Sequence, residues 1–279
     1  MVIDVDGVFE KYLRRIMKEQ AGKYTEEQWE DRMAALYVEF GNTPAKELGG
    51  KTPARYFGEM STQTVVATLK EYVLADVSVP DFLCDAIIAA KGADEYLVKL
   101  LNEDDEELVS YAVNLLSDRG YTGAFSKYLD MIENKNVDDE MKDLVAEILL
   151  DGASTVKEQV LVRYPKANAT AKAYFLEILV AAGKDDRTFE ILKAAFGQGE
   201  ENIPLFAAYF ARLGDDRALP LLLEVIKRPD LNYQEYQELK FAIEALGGEY
   251  EDKRDFTKDK IYRKIQAQRK REEEQAGKE

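Results

Sequence analysis

The chain has 279 residues, 46% of them hydrophobic and 33% charged, which is enough apolar material for one elongated repeat domain or two compact domains. A net charge of −16 disfavours nucleic acid and membranes as partners, because an acidic surface repels phosphates and anionic lipids. Histidine is absent and Cys84 is the only cysteine. Nucleophile systems that need histidine, zinc sites built from imidazole and intrachain disulfides are therefore excluded.

The first residues, MVIDVDGVFEKYLRRI, carry acidic side chains where a signal peptide needs a basic start and an apolar stretch. No apolar run approaches the ~20 residues that a membrane-spanning helix needs. We therefore expect a cytoplasmic protein, and the residues indicate no cofactor and no metal site.

The segment VIDVDGV at residues 2–8 resembles the first motif of the haloacid-dehalogenase-type phosphatases. The resemblance implies a nucleophilic Asp4 and an acid/base Asp6. That chemistry also needs a buried strand before the motif, a later lysine and a distal acidic pair. Only three residues precede Asp4, and the rest of the chain has helical patterns. We interpret both aspartates as acids at a helix start, where the helix dipole favours them.

Residues 1–60 are predicted as a helical segment outside the repeat described below. Thr25 and Gln28 form a capping box that starts a helix through Phe40. Farther along, two Thr-Pro pairs predict two short helices, because threonine caps a helix and proline fits its first position. The pairs are Thr43-Pro44 and Thr52-Pro53, hinged at Gly49-Gly50.

Residues 41–57, which contain both Thr-Pro pairs, resemble short segments of several bacterial proteins of mixed function. These include the toxin-contacting parts of some antitoxins. Two interpretations stay open: a structural corner, or a binding element of a toxin–antitoxin-like regulatory module.

Internal repetition is the strongest pattern in the chain. Glycines end helical patterns at intervals of 28 to 33 residues, and a glycine just past a helix end adopts the left-handed conformation easily. These glycines are Gly92, Gly120, Gly152, Gly183, Gly214 and Gly247. The positions eight and four residues before each glycine are all apolar, so each pair shares one helix face. They are Cys84 and Ile88, Ala112 and Leu116, Leu144 and Ile148, Phe175 and Leu179, Phe206 and Phe210, and Leu239 and Ile243.

A second helical pattern follows each of the first five glycines within a few residues: EYLVKLL, AFSKYLDMI, TVKEQVLV, TFEILKAAF and ALPLLLEVI. Two helices joined by a short turn lie antiparallel, and neither buries its apolar face alone. The sequence therefore predicts an all-α fold, an α-solenoid of about six antiparallel helix pairs over residues 61–265. Within it, we expect Phe206 to belong to a buried seam between hairpins.

LVKLLNEDDEELVSYAVNLLSDRG at residues 97–120 and LGDDRALPLLLEVI at residues 213–226 resemble HEAT-like repeats of the phycobilisome-lyase type. The resemblance covers about residues 79–250 and is degenerate in the middle repeats. Ser110 stands where the family often has arginine. The resemblance implies the fold and a groove lined by the second helices. It implies no single function, because such repeats occur in scaffolds, lyases and glycosylases.

Acidic pairs recur at the repeat turns: Asp104-Asp105, Asp138-Asp139, Asp185-Asp186 and Asp215-Asp216. Paired carboxylates can serve hydrolysis or bind a hard cation, but their recurrence favours helix capping. Cys84 falls in the buried register with no basic neighbour, so we interpret it as a core cysteine and not a reactive thiol.

Arg187 and Arg217 follow matching turns and are the candidate binding residues, since two such guanidinium groups can clamp a carboxylate. The alternative is a repeated structural contact to the preceding aspartate or to a helix end. At the C-terminus, Lys258 to Ile265 predict a final short helix. Residues 266–279 lose their large apolar side chains, so we expect a charged, disordered tail.

These patterns favour a non-enzymatic scaffold or adaptor that binds another protein or peptide. A HEAT-like DNA glycosylase is the enzymatic alternative, and it needs a basic, aromatic-lined channel. The residues before Lys253 carry a net charge of −20, which disfavours that channel.

Overall fold

The computed structural model describes residues 2–198 and 202–276, and within them the protein is all-helical, with sixteen α-helices and no strand. The helices are α1 (Val5–Glu19), α2 (Glu26–Gly41), α3 (Pro53–Gly58), α4 (Thr62–Leu74), α5 (Asp81–Ala89), α6 (Asp94–Leu100), α7 (Glu106–Asp118), α8 (Phe125–Glu133), α9 (Asp139–Asp151), α10 (Ala153–Arg163), α11 (Ala169–Ala181), α12 (Asp186–Gln198), α13 (Ile203–Leu213), α14 (Leu219–Val225), α15 (Tyr233–Ala245) and α16 (Lys260–Ala276). The chain forms two compact units, Met1–Lys127 and Tyr128–Glu279, which divide inside the segment predicted as one repeat array.

The first helix begins where the acidic motif lies. The Asp4 carboxylate accepts the Gly7 backbone N–H at 2.8 Å and caps α1, which confirms its interpretation as a helix-start residue. Asp6 follows in the first turn of α1, where the Ser78 hydroxyl donates to its carboxylate at 2.6 Å.

Two predicted helix starts in the N-terminal segment are confirmed. The Thr25 hydroxyl accepts the Gln28 N–H while the Gln28 side chain accepts the Thr25 N–H, which forms the predicted capping box of α2. The Thr52 hydroxyl accepts the Arg55 N–H at 3.3 Å, and Pro53 occupies the first turn of α3.

The helix start predicted at Thr43-Pro44 is wrong. The Thr43 hydroxyl donates to the Glu39 carbonyl oxygen at 2.9 Å, so it serves the C-terminal end of α2 instead of capping a new helix. A single 3₁₀ turn, Lys46–Leu48, begins later and has no side-chain cap.

All eleven helices predicted in the repeat are present. α5, α7, α9, α11, α13 and α15 are the first helices of the hairpins, and α6, α8, α10, α12 and α14 are the second. Five of the six glycines that end the predicted helical patterns have φ between 63° and 84°, as a left-handed helix end requires. Gly152 has φ of −97° and joins α9 directly to α10.

The predicted register is correct at seven of the twelve positions, which are buried, and wrong at five, which are only partly buried: Cys84, Ile88, Leu144, Ile148 and Phe206. In α5 the buried pair lies one residue earlier, at Leu83 and Ile87, and in α9 one residue later, at Val145 and Leu149. One residue rotates an α-helix by about 100°, so a small rotation of α5 or α9 moves the neighbouring apolar pair inward.

Within the second unit, helices pack against neighbours that are close in chain order. The first helices α9, α11, α13 and α15 contact one another successively, and α10, α12 and α14 each contact the first helix that follows. A continuous core runs through the last hairpins, with Phe210, Leu222 and Ile243 fully buried in it.

The final helix is longer than predicted. α16 runs to Ala276, eleven residues past the expected end at Ile265, because the Gln, Ala, Arg, Lys and Glu residues that follow are strong helix formers. Residues 277–279, the end of the expected tail, lie outside the described residues.

Candidate functional site

Arg187 and Arg217 occupy equivalent places at the starts of two second helices. Before α12, the Asp185 carboxylate accepts the Arg187 backbone N–H at 2.8 Å and also binds the Arg187 guanidinium group. Before α14, the Asp215 carboxylate accepts the Arg217 N–H at 3.1 Å and binds its side chain at 2.9 and 2.6 Å. Each arginine therefore folds back on the aspartate of its own turn.

Both arginines also reach the preceding hairpin. The two terminal nitrogens of Arg187 donate to the two carboxylate oxygens of Glu158 on α10, at 2.9 and 2.6 Å. Arg217 donates to Asp186 at 2.8 Å and lies over the Phe189 ring, 4.4 Å from its centroid. A partner carboxylate would therefore compete with Glu158 for Arg187 and with Asp186 for Arg217.

The ion pairs favour the ionised form of the turn aspartates. Only 1% of the Asp215 side chain is exposed, and hydrogen bonds from Arg217 lower its pKa to about 2 despite that burial. Arg187 lowers the pKa of Asp185 in the same way, and it also lowers the pKa of Glu158. These carboxylates are anions at neutral pH and hold the arginines in place.

Other arginines make the same kind of link between hairpins. Arg119 binds Asp94 at 2.7 Å and donates to two carbonyl oxygens at the end of α5. Arg163 binds Asp130 and Glu133, both at 2.6 Å. In all these pairs the partners are 25 to 33 residues apart, which is close to the interval between the glycines of the predicted repeat.

An open apolar groove of about 550 Å³ lies beside Arg187, between α10 and α12. Leu161 and Ile191 line it as half-buried side chains, and Val162 stands at it with 75% of its surface exposed. The charged residues of this α10–α12 groove are Glu158, Asp186, Arg187 and Glu190. Three carboxylates against one guanidinium group give the lining a net negative charge.

The α10–α12 groove offers both apolar surface and negative charge. Leu161, Val162 and Ile191 offer apolar surface to an incoming side chain, and burial of that surface is favourable. A positive group beside that side chain would meet the exposed carboxylates of the lining.

The acidic pairs serve as caps, as interpreted from the sequence. Asp105 accepts the Leu108 N–H at 2.9 Å, and Asp138 accepts the Met141 N–H at 2.6 Å. Asp185 and Asp215 do the same for the arginines above. Among the described residues, no group of three or more Cys, Asp or Glu side chains is arranged to hold a metal ion.

Cys84 lies on α5 and is partly exposed, so its placement in the core was wrong by one residue of register. Burial of the sulfur, followed by the charges of Asp81 and Asp85, raises the pKa of the Cys84 thiol to about 11. The thiol is protonated at neutral pH, which disfavours a nucleophilic role.

Leu161, Val162 and Ile191 were missed because the predicted register covers only the first helix of each hairpin. In α10 the buried stripe consists of Ala153, Val156 and Val160, so Leu161 and Val162 come directly after it. Two apolar residues off the buried stripe predict exposed apolar surface, and this pattern was available in the sequence.

The comparisons with known proteins provide no relative. No family model matches the chain, and no match is found among curated proteins or solved structures. Separately, no helix in the described part of the chain is both long and apolar enough to cross a membrane.

Proposed function

We propose that this protein is a non-enzymatic scaffold that binds a segment of another protein in the α10–α12 groove. The observation that carries the proposal is the exposure of Val162 beside Leu161 and Ile191, which leaves apolar surface uncovered next to Arg187. Exposed apolar surface with a polar rim is typical of protein–protein contact sites.

We infer an α-solenoid arrangement of the HEAT-like type within the second unit. The packing of each second helix on the next first helix supports it, and so do the arginine links at about one repeat. In such repeats the second helices line the binding face, and α10 and α12 are both second helices.

The expected partner segment carries one or two apolar side chains next to lysine or arginine. The groove volume of about 550 Å³ lies within the range of ~300–1,000 Å³ that is usual for ligand sites, although this groove is open. Glu158, Asp186 and Glu190 favour positive charge, and the net charge of −16 attracts a basic partner from a distance.

A non-enzymatic role is supported by the chemistry of the described residues. The turn carboxylates are occupied in caps and ion pairs, Cys84 holds its proton, and the chain has no histidine. A DNA glycosylase would need a basic channel, and the lining of the α10–α12 groove has the opposite charge.

The test is affinity capture with a matched pair of variants, followed by binding of peptides that tile the captured partner. Val162→Lys places a positive charge in the groove, where it would repel a basic peptide, whereas Phe241→Lys makes the same kind of change at an exposed apolar residue of α15. We expect Val162→Lys to abolish binding of a basic, apolar peptide and Phe241→Lys to preserve it. Equal binding by both variants, or a bound peptide of acidic character, would reject the groove as the site.

A second measurement separates the scaffold from the glycosylase. Fluorescence anisotropy with duplex, abasic and single-stranded DNA should show weak association that disappears as salt rises, because few phosphate contacts form on an acidic surface. Submicromolar binding that resists salt would favour the glycosylase.

A further inference from the structure

A second pocket lies in the first unit, between α1 and the 3₁₀ turn Lys46–Leu48, and its charge is opposite to that of the α10–α12 groove. Its volume is about 260 Å³, and its apolar lining includes Val8, Tyr12 and Phe40, all of which are buried. Lys11, Arg15 and Lys46 also line it. We call this site the α1 pocket.

We infer that the α1 pocket binds a small organic anion with a compact apolar body. Three cationic side chains surround an apolar lining that contains two aromatic rings, so one end of a ligand meets positive charge while the other meets apolar surface. Neither α1 nor the 3₁₀ turn has a role in the binding proposed for the second unit.

The positive charge of the α1 pocket is local, because the first unit as a whole is acidic. Residues 1–127 contain 14 Lys and Arg against 23 Asp and Glu. Residues 11–18, in contrast, carry four basic side chains, Lys11, Arg14, Arg15 and Lys18, and no acidic one. The one acidic residue that lines the pocket is Glu47.

Contacts inside the protein leave much of this positive charge available. Lys11 approaches Glu47 only to 3.7 Å and keeps 70% of its side chain exposed, so the pair is weak. Arg15 lies over the Tyr12 ring, with its guanidinium carbon 5.3 Å from the centroid, an arrangement that leaves its N–H groups free to donate to a ligand.

The polar groups of the lining favour an anion over a neutral donor. The Tyr12 hydroxyl donates to the Glu39 carboxylate at 2.8 Å, and the Thr43 hydroxyl donates to the Glu39 carbonyl oxygen at 2.9 Å. Both protons are therefore already used. The donors that remain for a ligand belong to Lys11, Arg15 and Lys46, and these bind carboxylates and phosphates with charge-assisted hydrogen bonds.

The size of the pocket limits the ligand. A volume of about 260 Å³ lies just below the ~300 Å³ at which typical ligand pockets begin, so the ligand is a small molecule with a single ring or a short chain. Benzoate and phenyl phosphate are suitable probes, because they place a carboxylate or a phosphate on the same ring. Benzamide provides the same shape without the charge.

The experiment follows methyl resonances of the full-length protein during titration with each probe. We expect benzoate, phenyl phosphate or both to shift the Val8 methyl signals while those of Val145, buried in the second unit, stay in place. Tighter binding of one probe identifies a carboxylate or a phosphate as the preferred anion. Benzamide should bind far more weakly, and salt should weaken the binding of the anions.

A charge-matched control tests whether the site itself is responsible. Removing two cations with Arg15→Gln and Lys46→Gln should weaken binding about tenfold or more, since each charge-assisted hydrogen bond contributes substantially. Lys135→Gln with Lys166→Gln makes the same charge change at exposed lysines of the second unit and should change affinity less than about twofold. Equal binding of benzamide, equal loss in the two double variants, or no shift of Val8 with either anion would overturn the proposal. None of these outcomes affects the α10–α12 groove.

Discussion

The N-terminal segment and the hairpins of the second unit are both helical, yet different contacts hold them together. In the first unit, α1, α2 and α5 meet through aromatic rings whose centroids lie 4.8 to 6.5 Å apart: Phe9, Tyr12, Tyr37, Phe40 and Phe82. In the second unit, an aliphatic and aromatic core is accompanied by arginines that join successive hairpins, such as Arg187 and Arg217. The N-terminal segment is held by one aromatic cluster, whereas the second unit repeats an ion pair between an arginine and a carboxylate.

This difference predicts how each region responds to substitution. A repeated contact spreads the stabilisation over several equivalent turns, so the loss of one link weakens one boundary between hairpins. A single aromatic cluster concentrates the stabilisation in one place, so a shift of one ring affects every helix that contributes to the cluster. Substitutions in the two regions test this contrast.

Removal of the Phe210 ring should have the largest effect. Its side chain is fully buried and meets the Phe196 ring at 5.7 Å and the Phe189 ring at 6.3 Å, between centroids. We expect Phe210→Ala to lower the free energy of unfolding by ~3–5 kcal/mol, measured by urea denaturation. Hydrogen exchange should show α13 and α15 loosening before the aromatic cluster of the first unit.

Phe206 is the control for that experiment, because it lies one turn earlier on α13 and is only partly buried. Its replacement by alanine should cost less than Phe210→Ala, since part of the ring already contacts solvent. Equal losses in the two variants would show that the buried face of α13 is assigned incorrectly.

The second effect depends on pH and tests the repeated arginine contact. Asp215 has a pKa of about 2 in the folded protein, below the ~3.9 of an unfolded aspartate, so its stabilisation is complete above pH ~4 and is lost as pH falls towards 2. Asp215→Asn should cost about 2–3 kcal/mol at pH 7 and flatten the fall in stability between pH 4 and 2. Thermal melts across that range measure both.

The neighbouring residue provides the comparison. Asp216 is exposed, so Asp216→Asn should change stability by less than ~0.5 kcal/mol and leave the pH profile intact. If Asp216→Asn alters the profile as strongly as Asp215→Asn does, the buried carboxylate is not the group responsible.

The helices of residues 81–245 could be predicted because their glycine ends and their apolar spacing are local features of the sequence. The register of α5 could not, because Leu83 with Ile87 and Cys84 with Ile88 are both apolar pairs at the same spacing. The choice between them is made by neighbouring helices, for example where Phe82 stacks on Tyr37 with centroids 4.8 Å apart. Such tertiary packing leaves no periodic pattern in the sequence.

The candidate sites also depend on tertiary contacts that leave no pattern in the sequence. Arg187 was identified from its turn, but its ion pair with Glu158 joins residues 29 apart that no local motif connects. Lys46 of the α1 pocket lies in a segment recognised only for its Thr-Pro pairs. Its place beside Lys11 and Arg15 in the lining of one pocket is a tertiary contact, which spacing alone does not reveal.

The aromatic cluster of the first unit is sensitive to a substitution at Gly41. A Cβ atom added at Gly41, the last residue of α2, would lie 2.5 Å from the Phe82 ring, which packs against Tyr37 and Phe40. Gly41→Ala should therefore cost ~1–3 kcal/mol, because the ring must move within a packed cluster. Chemical denaturation gives the cost, and near-ultraviolet circular dichroism reports the displaced rings.

Gly58, the last residue of α3, is the matched control. A Cβ atom there meets nothing within 4 Å, so alanine should be neutral or stabilise the protein by up to ~1 kcal/mol through its higher helix propensity. A stable Gly41→Ala variant with unchanged aromatic signals would mean that the cluster adapts more easily than its packing indicates.

The smallest effect is expected from the end of α16. Residues 266–271 are exposed along the helix, so truncation after Ile265 removes no buried contact among them and should cost less than ~1 kcal/mol. The circular dichroism signal at 222 nm should fall in proportion to the helical residues 266–276, while the melting midpoint moves by only a few degrees.

Truncation after Asp259 is the sharper comparison, because it also removes Tyr262, whose ring meets Tyr233 at a centroid distance of 4.9 Å. That second variant should lose more stability than the first, since an aromatic contact with α15 disappears. If both truncations destabilise the protein equally, the stabilising contacts of α16 lie beyond Ile265 and its charged end packs against the hairpins.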